Sequence, residues 1–237
     1  MMILNKNEWE KEDRSLFLEY LKTFGREEKK EWAKNILQTE SPVLAMLTKD
    51  IVNVVNEIMK GNYLSYLDLE ITDYYETIAI YGSIISKLNS LDTFLIYLNK
   101  YLNFMNCWAH CDLLHFPLIY EKKEVYLNLS RKFRKDDRVM VRRLSLFILF
   151  QFVKEKESLQ TILDSIIDFK DENEYYVIMM AGWLLSECII LYKDETLAFI
   201  TSNSLNKKII NKAIQKCRES NRLSKEEKDF LLSYKIK

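Results

Sequence analysis

Residues 41–62 read Ser41-Pro42-Val43-Leu44-Ala45-Met46-Leu47-Thr48-Lys49-Asp50-Ile51-Val52-Asn53-Val54-Val55-Asn56-Glu57-Ile58-Met59-Lys60-Gly61-Asn62. Serine followed by proline is a favourable helix start, because proline at the first position loses an N–H that has no partner there anyway. Val43, Leu47, Ile51, Val54 and Ile58 recur at helical spacing, and Gly61-Asn62 is a helix stop. The stretch therefore predicts one helix from Ser41 to Gly61. It also uses one of only 2 prolines and one of only 4 glycines among 237 residues. Average usage is roughly 7% Gly and 5% Pro. A β-sandwich or barrel needs many tight turns made of those residues, and a dinucleotide or P-loop enzyme needs a glycine-rich loop. Neither is possible here, so the chain is expected to be all-α.

The rest of the sequence follows the same pattern. Helices are expected over Glu12–Phe24, Glu27–Leu37, Tyr63–Leu69, Asp73–Leu88 (capped by Thr72 or Asp73) and Asp92–Tyr101 (capped by Ser90). They continue over Asn106–His115, Leu118–Ser130, Arg138–Phe152, Ser158–Ile167, Asn173–Leu191, Glu195–Thr201, Lys207–Arg218 and Lys225–Leu232. The connections are short, which makes neighbours antiparallel. Many short helices in succession fit a HEAT-like helical-repeat superhelix, an α-α solenoid with a concave binding groove and degenerate repeats. No linker divides the chain, so residues 1–237 are expected to form a single domain.

Lys+Arg and Asp+Glu are both 35, a formal net charge of zero. Residues 1–120 carry 12 basic and 17 acidic side chains, whereas 121–237 carry 23 and 18. A polyanionic partner is therefore sought in the C-terminal half. The four cysteines (107, 111, 188 and 217) are scattered and read as free thiols of a reducing compartment. No signal-peptide core precedes them, and no apolar run reaches about 18 residues. Residues 178–192 come nearest, interrupted by Glu187. A cytoplasmic protein without membrane contact is expected.

Four segments carry chemistry. In Asn106-Cys107-Trp108-Ala109-His110-Cys111-Asp112, Trp108 and Asp112 are four apart and share a helix face. A carboxylate beside an indole can hold a cation; the plainer alternative makes Trp108 core and Asp112 a cap or an arginine partner. Cys107, His110, Cys111 and His115 on one short helix cannot surround a tetrahedral ion, so no metal is expected. The second segment runs from Arg131 to Arg143. Its arginines suit phosphate, or else form a solvated loop; Arg142 and Arg143, within an otherwise apolar helix, are expected to meet an acid or an anion. In the third, Gly182 either permits close packing or opens room for a ligand, and Trp183 packs inside or lines a cleft. In the fourth, Lys208, Lys212 and Lys216 make an i, i+4 basic stripe that can follow a nucleic-acid backbone, or simply aid solubility.

In order and spacing, these segments resemble the HEAT-repeat DNA alkylation repair proteins of the AlkD type. The resemblance runs over about residues 35–235 through Lys60–Leu64, Tyr74-Tyr75-Glu76, Gly82, Asn106–Asp112, Arg142-Arg143, Tyr175–Ser186 and Asn211–Ser220. Ser41–Asp50 follows the family's early region only loosely, lacking its glycine and second proline. The resemblance implies a DNA glycosylase that excises cationic N3- or N7-alkylated purines from duplex DNA as a monomer, with no cofactor and no metal. It implies Asp112 as the carboxylate facing the developing oxocarbenium charge, with Trp108 and Trp183 lining the cleft and Arg143 supporting them. Arg142 is the adjacent alternative, and Arg142, Lys208, Lys212 and Lys216 are expected DNA contacts. The alternatives in other classes are a non-catalytic DNA-binding member of the same fold and a protein scaffold.

Overall fold

A computed structural model describes residues 2–236. Among them there is no strand, and the chain is all-α. It forms two compact units, residues 1–118 and 119–237.

The first unit contains α1 (Asp13–Lys22), α2 (Lys30–Leu37), α3 (Thr48–Ile58), α4 (Tyr63–Asp68), α5 (Tyr75–Ile85), α6 (Leu91–Tyr101) and α7 (Trp108–Asp112). Helix α5 is its centre and packs on α3, α6 and α7. All of it but Tyr75 and Ser83 is buried, so its sequence is apolar nearly all round, as a core helix requires. Aromatic residues fill the space between helices. Trp9, Phe17 and Tyr66 meet edge to face, and Tyr81 stacks on Tyr101 at 5.8 Å.

The helix expected from Ser41 starts seven residues later, at Thr48. Residues 41–47 are held outside any helix by bonds to distant parts of the unit. The buried Glu76 carboxylate accepts the N–H groups of Leu44 (3.0 Å) and Met46 (3.2 Å). Pro42 O accepts from Tyr75 N, Leu44 O from Arg26 N, and Ala45 O from Arg26 Nε at 2.7 Å. Ala45 takes a left-handed φ of 58°. Pro42 is thus a loop residue, and tertiary hydrogen bonds override the local helix signal. The same Tyr75–Pro42 bond delays α5, whose entry is fixed by Thr77 Oγ1 accepting Tyr74 N rather than by Thr72 or Asp73. Ser90 does cap α6, accepting from Thr93 N.

The second unit contains α8 (Lys123–Phe133), α9 (Val139–Phe150), α10 (Leu159–Ile167), α11 (Tyr175–Leu191), α12 (Lys193–Ser202), α13 (Lys207–Glu219) and α14 (Lys225–Leu231). Helix α8 begins five residues after the expected Leu118, because Leu118 itself has φ 53° and turns the chain. The helices pair and layer: α8 lies on α9, α9 on α11, and α11 on α10, α12 and α13. This is the arrangement expected of degenerate HEAT-like repeats, in which each layer buries an apolar face its neighbour cannot bury alone. At Gly182 of α11 a Cβ would sit 2.6 Å from Lys212 Cγ and 2.7 Å from Lys212 Cβ, so the missing side chain lets α13 approach. Of the two roles open to this glycine, close packing is the one observed. Among the described residues no helix is long and apolar enough to cross a membrane.

Candidate functional site

Helix α7 is only five residues long and cannot be stable by itself. Its position is imposed from several sides. At Gly82 of α5 a Cβ would meet Tyr101 Oη at 2.5 Å and Leu113 Cδ1 at 2.7 Å, so only glycine admits this packing. The fully buried Tyr101 hydroxyl donates to His110 O at 3.0 Å. Before the helix, Asn106 accepts from Thr39 Oγ1 at 2.7 Å and donates to Ser41 Oγ. After it, His115 N donates to Ser86 Oγ at 3.0 Å.

His110 faces inward. Its ring stacks on Tyr75 at 4.8 Å, Nδ1 accepts from Asn106 N, and Nε2 donates to Tyr75 O at 3.2 Å. These bonds require the neutral imidazole, and burial pushes its pKa down to about 4. The opposite side of the short helix presents Trp108 and Asp112, both half-buried. Trp108 Nε1 donates to Ile36 O at 3.2 Å, which fixes the ring edge against α2. Beside α2 a cavity of about 320 Å³ opens between Trp32, Ile36, Leu47, Ile51 and Tyr75, above the Glu76 clamp. Trp108 and Asp112 are the first and last residues of α7, four positions apart on the helix.

In the second unit, Arg143 of α9 is buried and its Nη1 donates to Tyr176 O of α11 at 2.9 Å. Trp183 of α11 is half-buried against Phe150 of α9, with ring centroids 4.5 Å apart. The expectation that Arg142 meets an acid or an anion resolves to an acid. Its Nε lies 2.8 Å from Glu172 Oε2, and Nη1 donates to the carbonyls of Asp136 (2.9 Å) and Asp137 (2.8 Å). Burial resists ionisation of Glu172. Hydrogen bonds from Arg142 and from the amides of Glu174 and Asn173 outweigh it and hold the carboxyl below its usual range. The neighbouring cations are committed likewise, Arg134 to Asp168 and Arg138 to Asp136. This acidic partner was invisible locally because Glu172 lies 30 residues away.

Along α13 the amines remain near the surface. Lys208 donates to Asn173 Oδ1 at 2.8 Å and Lys212 to Gln215 Oε1 at 2.9 Å, while Lys216 pairs with Glu219 at 3.0 Å. No group of three or more possible metal ligands occurs among the described residues. None of the four cysteines is in a disulfide and all are buried, and burial pushes the thiols of Cys188 and Cys217 up to about 12, which keeps them protonated and unreactive.

Two findings from comparison with known proteins bear on this geometry. A family model described as DNA alkylation repair enzyme matches residues 17–217. No curated protein matches the chain.

Proposed function

Since the chain belongs to the DNA alkylation repair enzyme family, we propose that it is a DNA glycosylase releasing cationic N3- and N7-alkylated purines from duplex DNA, with residues 1–237 acting as one functional domain. The observation that carries the reading is the Trp108–Asp112 face of α7, held in place by Gly82, Tyr101 and Asn106.

The chemistry suits those side chains. Alkylation at N3 or N7 leaves the purine with a formal positive charge, so the base departs as a neutral species. As the C1′–N9 bond breaks, its electron pair goes to the base and positive charge develops on the sugar. The Asp112 carboxylate stabilises that charge. Water then adds at C1′ and gives up a proton to solvent, leaving an abasic site and a free alkylpurine. The faces of Trp108 and Trp183 favour the cationic nucleoside over a neutral one. Arg143, with Arg142 beside it, is the second unit's contact to the DNA phosphates. Arg142 serves there only by exchanging Glu172 for a phosphate. Lys208 and Lys212 supply sequence-independent attraction to the duplex, and Lys216 joins them only by exchanging Glu219 for a phosphate.

The test is to incubate the protein with methylated duplex DNA and look for liberated 3-methyladenine or 7-methylguanine. Salt-dependent binding without release of base would make it a DNA-binding member of the fold instead, and absence of both would leave a protein scaffold.

A further inference from the structure

Most cations of the second unit with a defined partner are neutralised by a carboxylate: Lys123 by Glu155, Arg134 by Asp168, Arg142 by Glu172, Lys193 by Glu227 and Arg222 by Glu187. One cluster is different. A cavity of about 400 Å³ between α13 and the C-terminal segment is lined by Lys208, Asn211, Lys212, Gln215, Arg218 and Lys235, and no carboxylate side chain of the described residues lines it. Among the described residues, none of its four cations makes an ion pair. Lys208 and Lys212 donate only to the neutral amide oxygens of Asn173 and Gln215.

The last of these cations is held there by the fold. Asn211 Nδ2 donates to Ile236 O at 2.8 Å, and Asn211 Oδ1 accepts from Ile236 N at 2.9 Å. That two-bond clasp fixes the backbone next to Lys235 against α13. Four like charges around one cavity repel each other, so an anion filling it relieves that repulsion. The positions 208, 212 and 218 extend over ten residues of helix, about 15 Å at the usual helical rise. That is the axial length of about four nucleotide steps of one strand, so the row is too long for one phosphate.

We propose that this cavity grips consecutive phosphodiesters of a nucleic-acid strand, and that Arg218 and Lys235 are phosphate contacts completing the row begun by Lys208 and Lys212. The assignment rests on the reading of DNA as the partner, but not on the chain being catalytic. Lys216, committed to Glu219, stands outside the row.

The test is binding of an undamaged duplex, measured by fluorescence anisotropy between about 50 and 200 mM salt. Each lost phosphate contact lowers the slope of log affinity against log salt by about 0.9. Arg218→Gln/Lys235→Gln should therefore reduce the slope by about 1.8, so that affinity falls about 12-fold less across that range than in the wild type. Arg218→Lys should keep the slope, and Asn211→Ala, which frees the tail without removing charge, should weaken binding. Lys11→Gln/Lys225→Gln removes two exposed charges elsewhere and should leave the slope nearly intact. An equal loss in that control, or an unchanged slope in the Arg218/Lys235 variant, would overturn the proposal. So would displacement of the duplex by inorganic phosphate at constant ionic strength, which would mark a single-anion site. Base release by the wild type is read separately: slope loss without any base release would sink the glycosylase reading and leave this one standing.

Discussion

Replacing Gly82 by alanine should damage the site from the far side of α5. In an exposed helix the change would be favourable by about 1 kcal/mol. Here the new Cβ would lie 2.5 Å from Tyr101 Oη and 2.7 Å from both Tyr101 Cζ and Leu113 Cδ1. Tyr101 is fully buried and cannot swing into solvent, so either α7 or the Tyr101 ring must move. Overpacking of this kind costs about 1–3 kcal/mol. Moving the hydroxyl off His110 O leaves a buried polar pair unmade, a further ~1–3 kcal/mol. Setting the propensity gain against these, the expected net loss is about 3 kcal/mol, or about 6–12 °C in Tm for a chain of this size. Urea denaturation reads the stability, and release of 7-methylguanine by the remaining folded protein reads the site. Both should fall, because α7 carries Trp108 and Asp112. A Gly82→Ala protein as stable as the wild type, with undiminished release, would refute the claim that α5 positions α7.

Three further perturbations test separate parts of the account. His110 has a folded pKa of about 4 against 6.5 for the free side chain, so it favours folding fully above pH 6.5. That stability is lost as pH falls from about 6.5 towards 4, by up to about 3 kcal/mol. Denaturation at about pH 7 and pH 5 should show the loss, and His110→Gln should flatten it. Glu76→Gln puts an amide N–H₂ where a carboxylate accepts two backbone donors, so one of Leu44 N and Met46 N loses its partner; about 2 kcal/mol of stability should go, measured by urea midpoint. Trp108→Ala should reduce the preference for methylated over plain duplex in competition binding, whereas an unchanged ratio would remove the indole from lesion recognition.

The helices were legible because their signals are local: glycine and proline scarcity, apolar spacing and the Ser90 cap all act within a few residues. Residues 41–47 failed as a helix for the opposite reason. Their partners, Glu76, Tyr75 and Arg26, are distant in sequence, and together they outweigh a serine–proline start. Leu118 likewise takes a left-handed turn that no nearby glycine announces. At the site, the shared face of Trp108 and Asp112 follows from four-residue spacing alone. The commitment of Arg142 to Glu172 does not, nor does the reason for Gly182, which lies in the stem of Lys212 on another helix. A stripe drawn at i, i+4 stops at Lys216; following the wider face through Asn211, Gln215 and Arg218 would have reached the cationic cavity.

The most direct measurement concerns Asp112. Wild type and Asp112→Asn should be compared for release of 7-methylguanine from methylated duplex, with helical content and duplex affinity followed in parallel. Loss of release in the variant, with helicity and affinity retained, is the expected result. Release at the wild-type rate from the D112N protein would take the carboxylate out of the chemistry and contradict the account.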